Sequence, residues 1–302
     1  MEKLSLREKL GYSGGEFGSA LISMLINFYL LTFLTDIVGI TPLAAGNVIL
    51  FSKIWDAIND PMCGAIAAKT RISTKFGKYK LWMLISAAPY VISIIGLFCI
   101  PNSLGNAAKI VLMIVFYNLW GMSSTAYLIP YGATATLMAS GQKERASLGI
   151  WREWGAKISG LIVSTFGSYI IMFFGGGELS APGYTRTAIF LAIIALIAML
   201  LPPTMTKERC INEHAENVSF KDSIRYLMGG GKHVVLIILV NLLTTATPVF
   251  ISSFTVYFCL NYLTNPMAIS PCMSASMLTP LASLLLLPFC LNKLGRRNTL
   301  IL

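Results

Sequence analysis

The chain reads as an all-α protein that crosses a membrane many times, and three observations predict this. Of its 302 residues 55% are hydrophobic and 12% charged, with a mean hydropathy of +0.70, far from the composition of a water-soluble domain. Apolar runs of about twenty residues, long enough to span hydrocarbon, recur eight times. Basic residues gather in alternate connections between those runs.

The runs lie at 12–37, 43–66, 80–101, 107–138, 148–175, 186–202, 233–260 and 271–291. Residues 1–10 are polar with mixed charge, and the first run is long and lacks a small-residue cleavage site, so no cleaved signal peptide is expected. With the N-terminus inside, the inner connections are 1–10, 67–80, 140–147, 203–232 and 291–297. They hold 18 of the 23 Lys and Arg residues, against two (Lys109, Arg186) in the outer connections. The other three, Lys53, Arg152 and Lys157, fall within spans. This positive-inside pattern predicts a cytoplasmic N-terminus. The net charge of +10 is then a topology signal. Membrane lipid is the expected surrounding, and neither nucleic acid nor an obligate protein partner is expected.

Span two holds the costliest residues. Asp56 and Asp60 are four apart and share a helix face, with Lys53 and Asn59 on adjoining positions. Each acid at mid-membrane costs about 2.5–3.5 kcal/mol, roughly 5–7 kcal/mol for two, so the pair marks an ion or solute pathway. In a purely structural alternative Lys53 neutralises Asp56 and the other groups tie helices together. In span five, Glu153 and Lys157 have the i, i+4 spacing of an ion pair. A private salt bridge is expected there, the alternative being that Lys157 reaches the carboxylates of span two. Asp36 falls at the outer end of span one, where a helix-end role is expected. Glycines 14, 15, 18, 155 and 160 are expected to let helices approach closely.

Six cysteines are scattered without metal or redox spacing and read as small buried apolar residues. His214 and His233 have no ligand spacing. Without a nucleophile–base pair, a cofactor motif or a phosphate loop, the sequence predicts neither an enzyme nor a cofactor. Lys75-Phe-Gly-Lys78 is echoed by Lys293-Leu-Gly-Arg296, which suggests two similar halves of six helices each. Residues 1–202 would form the first half. Residues 203–232 would be a cytoplasmic linker in which Ser219, Asp222 and Arg225 fit a short surface helix, and 233–302 would begin the second half. The chain stops just after the second basic loop, so a truncated form is expected, with two helices and the start of a third from the second half.

Several motifs occur in order over residues 11–160: Gly15-Glu16-Phe17, Phe33-Leu-Thr-Asp36, Lys53-Ile-Trp-Asp-Ala-Ile-Asn-Asp-Pro-Met-Cys-Gly64, Phe76-Gly77-Lys78-Tyr-Lys-Leu-Trp82, Ile129-Pro-Tyr131 and Glu144-Arg-Ala-Ser-Leu148 followed by Arg152. Together they resemble the glycoside–pentoside–hexuronide:cation symporter family, which includes the melibiose permease and belongs to the major facilitator superfamily. The resemblance implies that fold, and a secondary transporter that couples sugar uptake to a cation by alternating access. It assigns the coupling cation, Na⁺ or H⁺, to Asp56, Asn59, Asp60 and Thr125. It assigns the sugar to Arg152 and Glu16, with Trp120 and Tyr127 among the aromatic residues that would stack on it. Gly77 and Lys78 fall in the superfamily's gating loop, and Lys53, Glu153 and Lys157 would serve structure or gating. Two departures, Ala20 and Leu128, remove polar groups at family positions and leave the sugar open. The alternatives are a transport-inactive fragment of such a carrier or a carrier for a non-sugar solute.

Overall fold

The computed structural model describes residues 4–69, 78–139, 141–207, 209, 229 and 231–299. Among them there is no strand, and eight long helical segments match the eight apolar runs. Helix α1 (Leu6–Leu25) starts at a capping box. The Ser5 hydroxyl accepts from the Glu8 N–H at 3.3 Å, and the Glu8 carboxylate accepts from the Ser5 N–H at 3.1 Å. It runs on through two wide π turns, Ile26–Leu30 and Phe33–Ile37. Gly39, at φ +79°, reverses the chain, and Pro42 opens α2 (Pro42–Lys69) at the position where a missing N–H costs nothing.

The remaining helices are α3 (Lys78–Leu97), α4 (Asn106–Met138), α5 (Gln142–Gly175), α6 (Ala181–Met199) with its short extension α7 (Leu201–Met205), α8 (Gly231–Tyr257) and α9 (Ile269–Thr299). Four stretches, Tyr79–Leu97, Asn106–Met138, Gln142–Gly175 and Ala181–Met205, are long and apolar enough to cross a membrane. The chain is a multi-pass membrane protein. The linker residues Ser219, Asp222 and Arg225 lie outside the described residues, as does His214.

Two seams organise the bundle. Along the first, α1 packs lengthwise on α5, with α6 against its other flank; along the second, α4 packs against α2 and α3. Helix α9 lies on α5, and α8 on the first π turn of α1. The α1–α5 seam is tight because its glycines leave no room for side chains. A Cβ on Gly155 would sit 2.6 Å from the Ser13 carbonyl oxygen, and on the α6 flank one on Gly18 would sit 2.5 Å from that of Ala195. Two hydroxyls stitch it: Ser13 donates to the Trp151 carbonyl and Ser159 to the Phe17 carbonyl, each at 2.7 Å.

At the basic end, the buried Glu8 takes a forked bond from Arg209, with N···O distances of 2.8 and 3.1 Å. Lys9 pairs with Glu144 at 3.5 Å, and Lys80 donates to the Thr206 carbonyl at 2.5 Å. Burial by itself would raise the Glu8 pKa. The hydrogen bonds from Arg209 and Ser5, with the Arg209 charge, outweigh that and hold it below its ordinary value. A lowered carboxyl pKa gives stability that is complete above the unfolded value, about 4.3, and is lost as the pH falls through the folded one. The melting temperature should therefore drop on acidification through that window, and Arg209→Gln should shrink the drop. Thermal unfolding in detergent over a pH series checks this, and identical acid profiles for the two proteins would refute it.

Candidate functional site

The α2–α4 seam collects the acidic residues of span two. The Thr125 hydroxyl donates to Asp60 Oδ1 at 2.6 Å and also lies 3.1 Å from the Gly121 carbonyl. Having one proton, it serves one acceptor at a time, and its own lone pairs stay available. Asp56 is 15% exposed, and its Oδ2 takes the Lys53 ammonium at 2.9 Å. Its Oδ1 lies against α4 at Gly121, where a Cβ would come within 2.6 Å. Asn59 is buried, and among the described residues its amide nitrogen has no hydrogen-bond partner and its Oδ1 receives only a weak thiol contact from Cys63 at 3.5 Å. Asp60 itself is exposed.

Two carboxylates and a hydroxyl therefore lie along one seam, Asp60 bonded to Thr125 and Asp56 against Gly121, with Asn59 buried next to Asp60 in the α2 sequence. This donor set suits a hard cation that takes oxygen ligands. The unpartnered Asn59 atom is its amide nitrogen, a donor, so only the amide oxygen, which receives the Cys63 thiol, could face a cation.

The second cluster belongs to the α1–α5 seam. Arg152 Nε donates to Glu16 Oε2 at 2.7 Å, with side-chain exposures of 38% and 18%. The guanidinium lies 5.5 Å from the Tyr131 ring centroid. Tyr131 stacks on Tyr12 at 4.5 Å and donates its hydroxyl to the Tyr12 carbonyl at 2.7 Å, joining α4 to α1. Glu16 and Arg152 thus form a half-buried, charge-neutral clamp floored by two tyrosines.

Of the other solute candidates, Tyr127 stacks on Tyr131 at 6.0 Å behind this clamp, and Trp120 lies on the other seam. The Tyr127 hydroxyl is bonded to the Met199 carbonyl at 2.7 Å, and its ring is wholly buried. Trp120 packs on Tyr117 at 5.2 Å, on the cation seam beside Lys53. Glu153 and Lys157 stand 4.0 Å apart, and neither touches the span-two acids. Asp36 is exposed at the second π turn and accepts from Thr35 at 2.7 Å, as a helix-end residue would. Gly77 lies outside the described residues, as does the side chain of Lys78, the first residue of α3.

Sequence reading did not single out Tyr12 or Gly121. Gly121 stands four residues before Thr125, hence on the same face, and that spacing was its available signal. Tyr12 carried none, because stacking on Tyr131 is set by how α1 and α4 cross.

Comparison with known proteins places this geometry. A family profile described as MFS/sugar transport protein matches residues 11–302. The isoprimeverose transporter of Lactiplantibacillus pentosus is 27% identical over 297 residues, which are 98% of this chain and 61% of that protein. The putative glycoside/cation symporter YagG of Escherichia coli K12 is 26% identical over 232 residues, 77% of this chain and 50% of that protein. A putative 2,3-dihydroxypropane-1-sulfonate exporter of the same organism is 25% identical over 306 residues, 99% of this chain and 65% of that protein. The chain thus spans between half and two-thirds of the length of these relatives. It belongs to the MFS/sugar transport protein family, transporters rather than enzymes, and within the major facilitator superfamily to the glycoside–pentoside–hexuronide:cation symporters that its motifs resemble.

Proposed function

We propose that this chain carries the cation site and one wall of the solute cavity of a sugar:cation symporter. The observation behind the proposal is the 2.6 Å Thr125–Asp60 bond across the α2–α4 seam, with Asp56 against the same helix at Gly121 and Asn59 beside Asp60 on α2. Sodium is the coupling ion that best suits these oxygens, and a proton on one carboxylate is the competing carrier. Glu16 and Arg152 present an acceptor and a fork of donors to vicinal hydroxyls, and their neutral sum favours an uncharged, hydroxylated solute.

The six helices up to residue 202 form one half of the carrier, 203–232 link the halves, and 233–302 begin the second. The N-terminus lies on the cytoplasmic side of a bacterial inner membrane, on the strength of the basic inner connections. Rocking of the halves about the midplane exposes the cavity to each side in turn. A bound cation neutralises the acids of α2 and strengthens sugar binding, and linkage requires sugar to strengthen cation binding by the same factor. No other cofactor is invoked.

The test is equilibrium binding of a panel of glycosides, pentoses and hexuronates to the purified protein at several sodium concentrations and pH values. Sugar affinity should rise with sodium, and affinity indifferent to both sodium and pH would overturn the coupling. Arg152→Ala should weaken sugar binding by about 10–100-fold, the range for losing a charged hydrogen-bond donor. Unchanged affinity in that variant would move the sugar elsewhere.

A further inference from the structure

Charge at the α2–α4 seam is not balanced, and Lys53 sets the imbalance. Its ammonium stands 2.9 Å from Asp56 Oδ2, 5.2 Å from the Trp120 ring centroid and 5.8 Å from that of Tyr117. The two rings belong to α4 and the carboxylate to α2, so the ammonium is held from both helices at once. Cation–π attraction strengthens where water is scarce, and the carboxylate supplies the opposing charge. Asp60, one turn on, receives only the neutral Thr125 hydroxyl among the described residues. Two carboxylates and one ammonium leave a single negative charge.

We propose that Lys53 is a specificity-determining residue. Its tethered ammonium is the first cation of a two-carboxylate site, so the site takes one further monovalent ion and turns divalent ions away. This rests on the cation site proposed above and adds the rule for ion valence and number. One Na⁺ brings the seam to neutrality. A Ca²⁺ would leave an excess positive charge beside an ammonium that already lies against two rings. Calcium sites gain affinity with the number of charged oxygen ligands, and here Lys53 engages one of the two. Asn59, buried with its amide unpartnered, and Thr125 supply neutral oxygens that serve either ion. The discrimination therefore resides in the charge count.

The experiment measures equilibrium binding of sodium-22 and calcium-45 to the purified chain in nanodiscs. Wild type should bind one sodium per chain, with calcium as a poor competitor. Lys53→Gln should admit calcium at least tenfold more tightly than wild type does, or bind a second sodium. Lys53→Arg, which keeps the charge, should keep calcium out. Lys53→Gln combined with Asp56→Asn restores a single negative charge and should lose the calcium binding gained. Helical circular dichroism and thermal unfolding of each variant establish that it is folded, and Lys53→Met serves as a second neutral variant. Saturable sodium binding in wild type, with calcium affinity unchanged in folded Lys53→Gln and Lys53→Met, would overturn the role of Lys53 alone. No saturable sodium binding in wild type would overturn the cation site itself and this inference with it.

Discussion

Asp60→Asn is expected to lower sodium affinity at least a hundredfold. Asp56 already faces the Lys53 ammonium at 2.9 Å, so Asp60 carries the seam's uncompensated charge. A unit charge about 4 Å from a cation is worth about 4 kcal/mol at an effective dielectric of 20. A hundredfold change in affinity is about 2.7 kcal/mol, well inside that figure. The amide that replaces the carboxylate still accepts the Thr125 hydroxyl, so the α2–α4 contact survives and the loss reports charge rather than folding. Asp56→Asn should do comparable damage by another route, because it leaves Lys53 without its counter-ion beside the site. Sodium-22 binding to purified protein provides the measurement. Retention of wild-type affinity by both variants would show that the ion binds elsewhere.

Gly121→Ala is the second large effect expected, with no change of charge. The added methyl would lie 2.6 Å from Asp56 Oδ1, closer than real Cβ atoms come to any neighbour. The carboxylate is not a loose end that can swing aside, since Lys53 holds its other oxygen. Either Asp56 leaves its position or α2 is levered off α4, and both scatter the donor set. A loss of tenfold or more in sodium affinity should follow, because a site misplaced by about an ångström loses its preorganisation. Gly132→Ala is the control on the same helix, where a Cβ meets nothing within 4 Å. That change should leave sodium affinity intact and add up to about 1 kcal/mol of helix stability. Equal behaviour of the two variants would refute the close-approach account of Gly121.

Some of this arrangement was legible in the sequence. Hydrophobic length and basic alternation gave the spans, because a bilayer imposes both directly. The i, i+4 spacing of Asp56 and Asp60 named one face of one helix, and the family motifs added Thr125, Glu16 and Arg152, while the bond between the last two is seen only in the structure. What periodicity lacks is the identity of the facing helix. Trp120 and Tyr127 lie seven residues apart, two turns of a helix. Even so, Trp120 meets Lys53 of α2, and Tyr127 reaches the Met199 carbonyl of α6. The π turns at Ile26–Leu30 and Phe33–Ile37 were illegible for the same reason. They depend on how neighbouring helices accommodate one extra residue per turn, which composition does not record.

The stacked tyrosines have a consequence for how cargo and ion communicate. The clamp proposed for a hydroxylated cargo sits on α1 and α5, the proposed ion site on α2 and α4, and Tyr12 with Tyr131 lies where the two pairs meet. The contacts across this junction are the stacked rings, the Tyr131–Tyr12 hydroxyl–carbonyl bond, the Arg152 guanidinium over the Tyr131 ring and, at the outer end, the Lys109 ammonium on the Val38 carbonyl, with no acid–base ion pair among the described residues. Stacked rings can slip past each other for about a kilocalorie per mole, whereas a salt link must be torn and rehydrated. In the proposed carrier the two guests would be separated by a surface of slipping rings, while the acid–base ion pairs stay within each pair of helices.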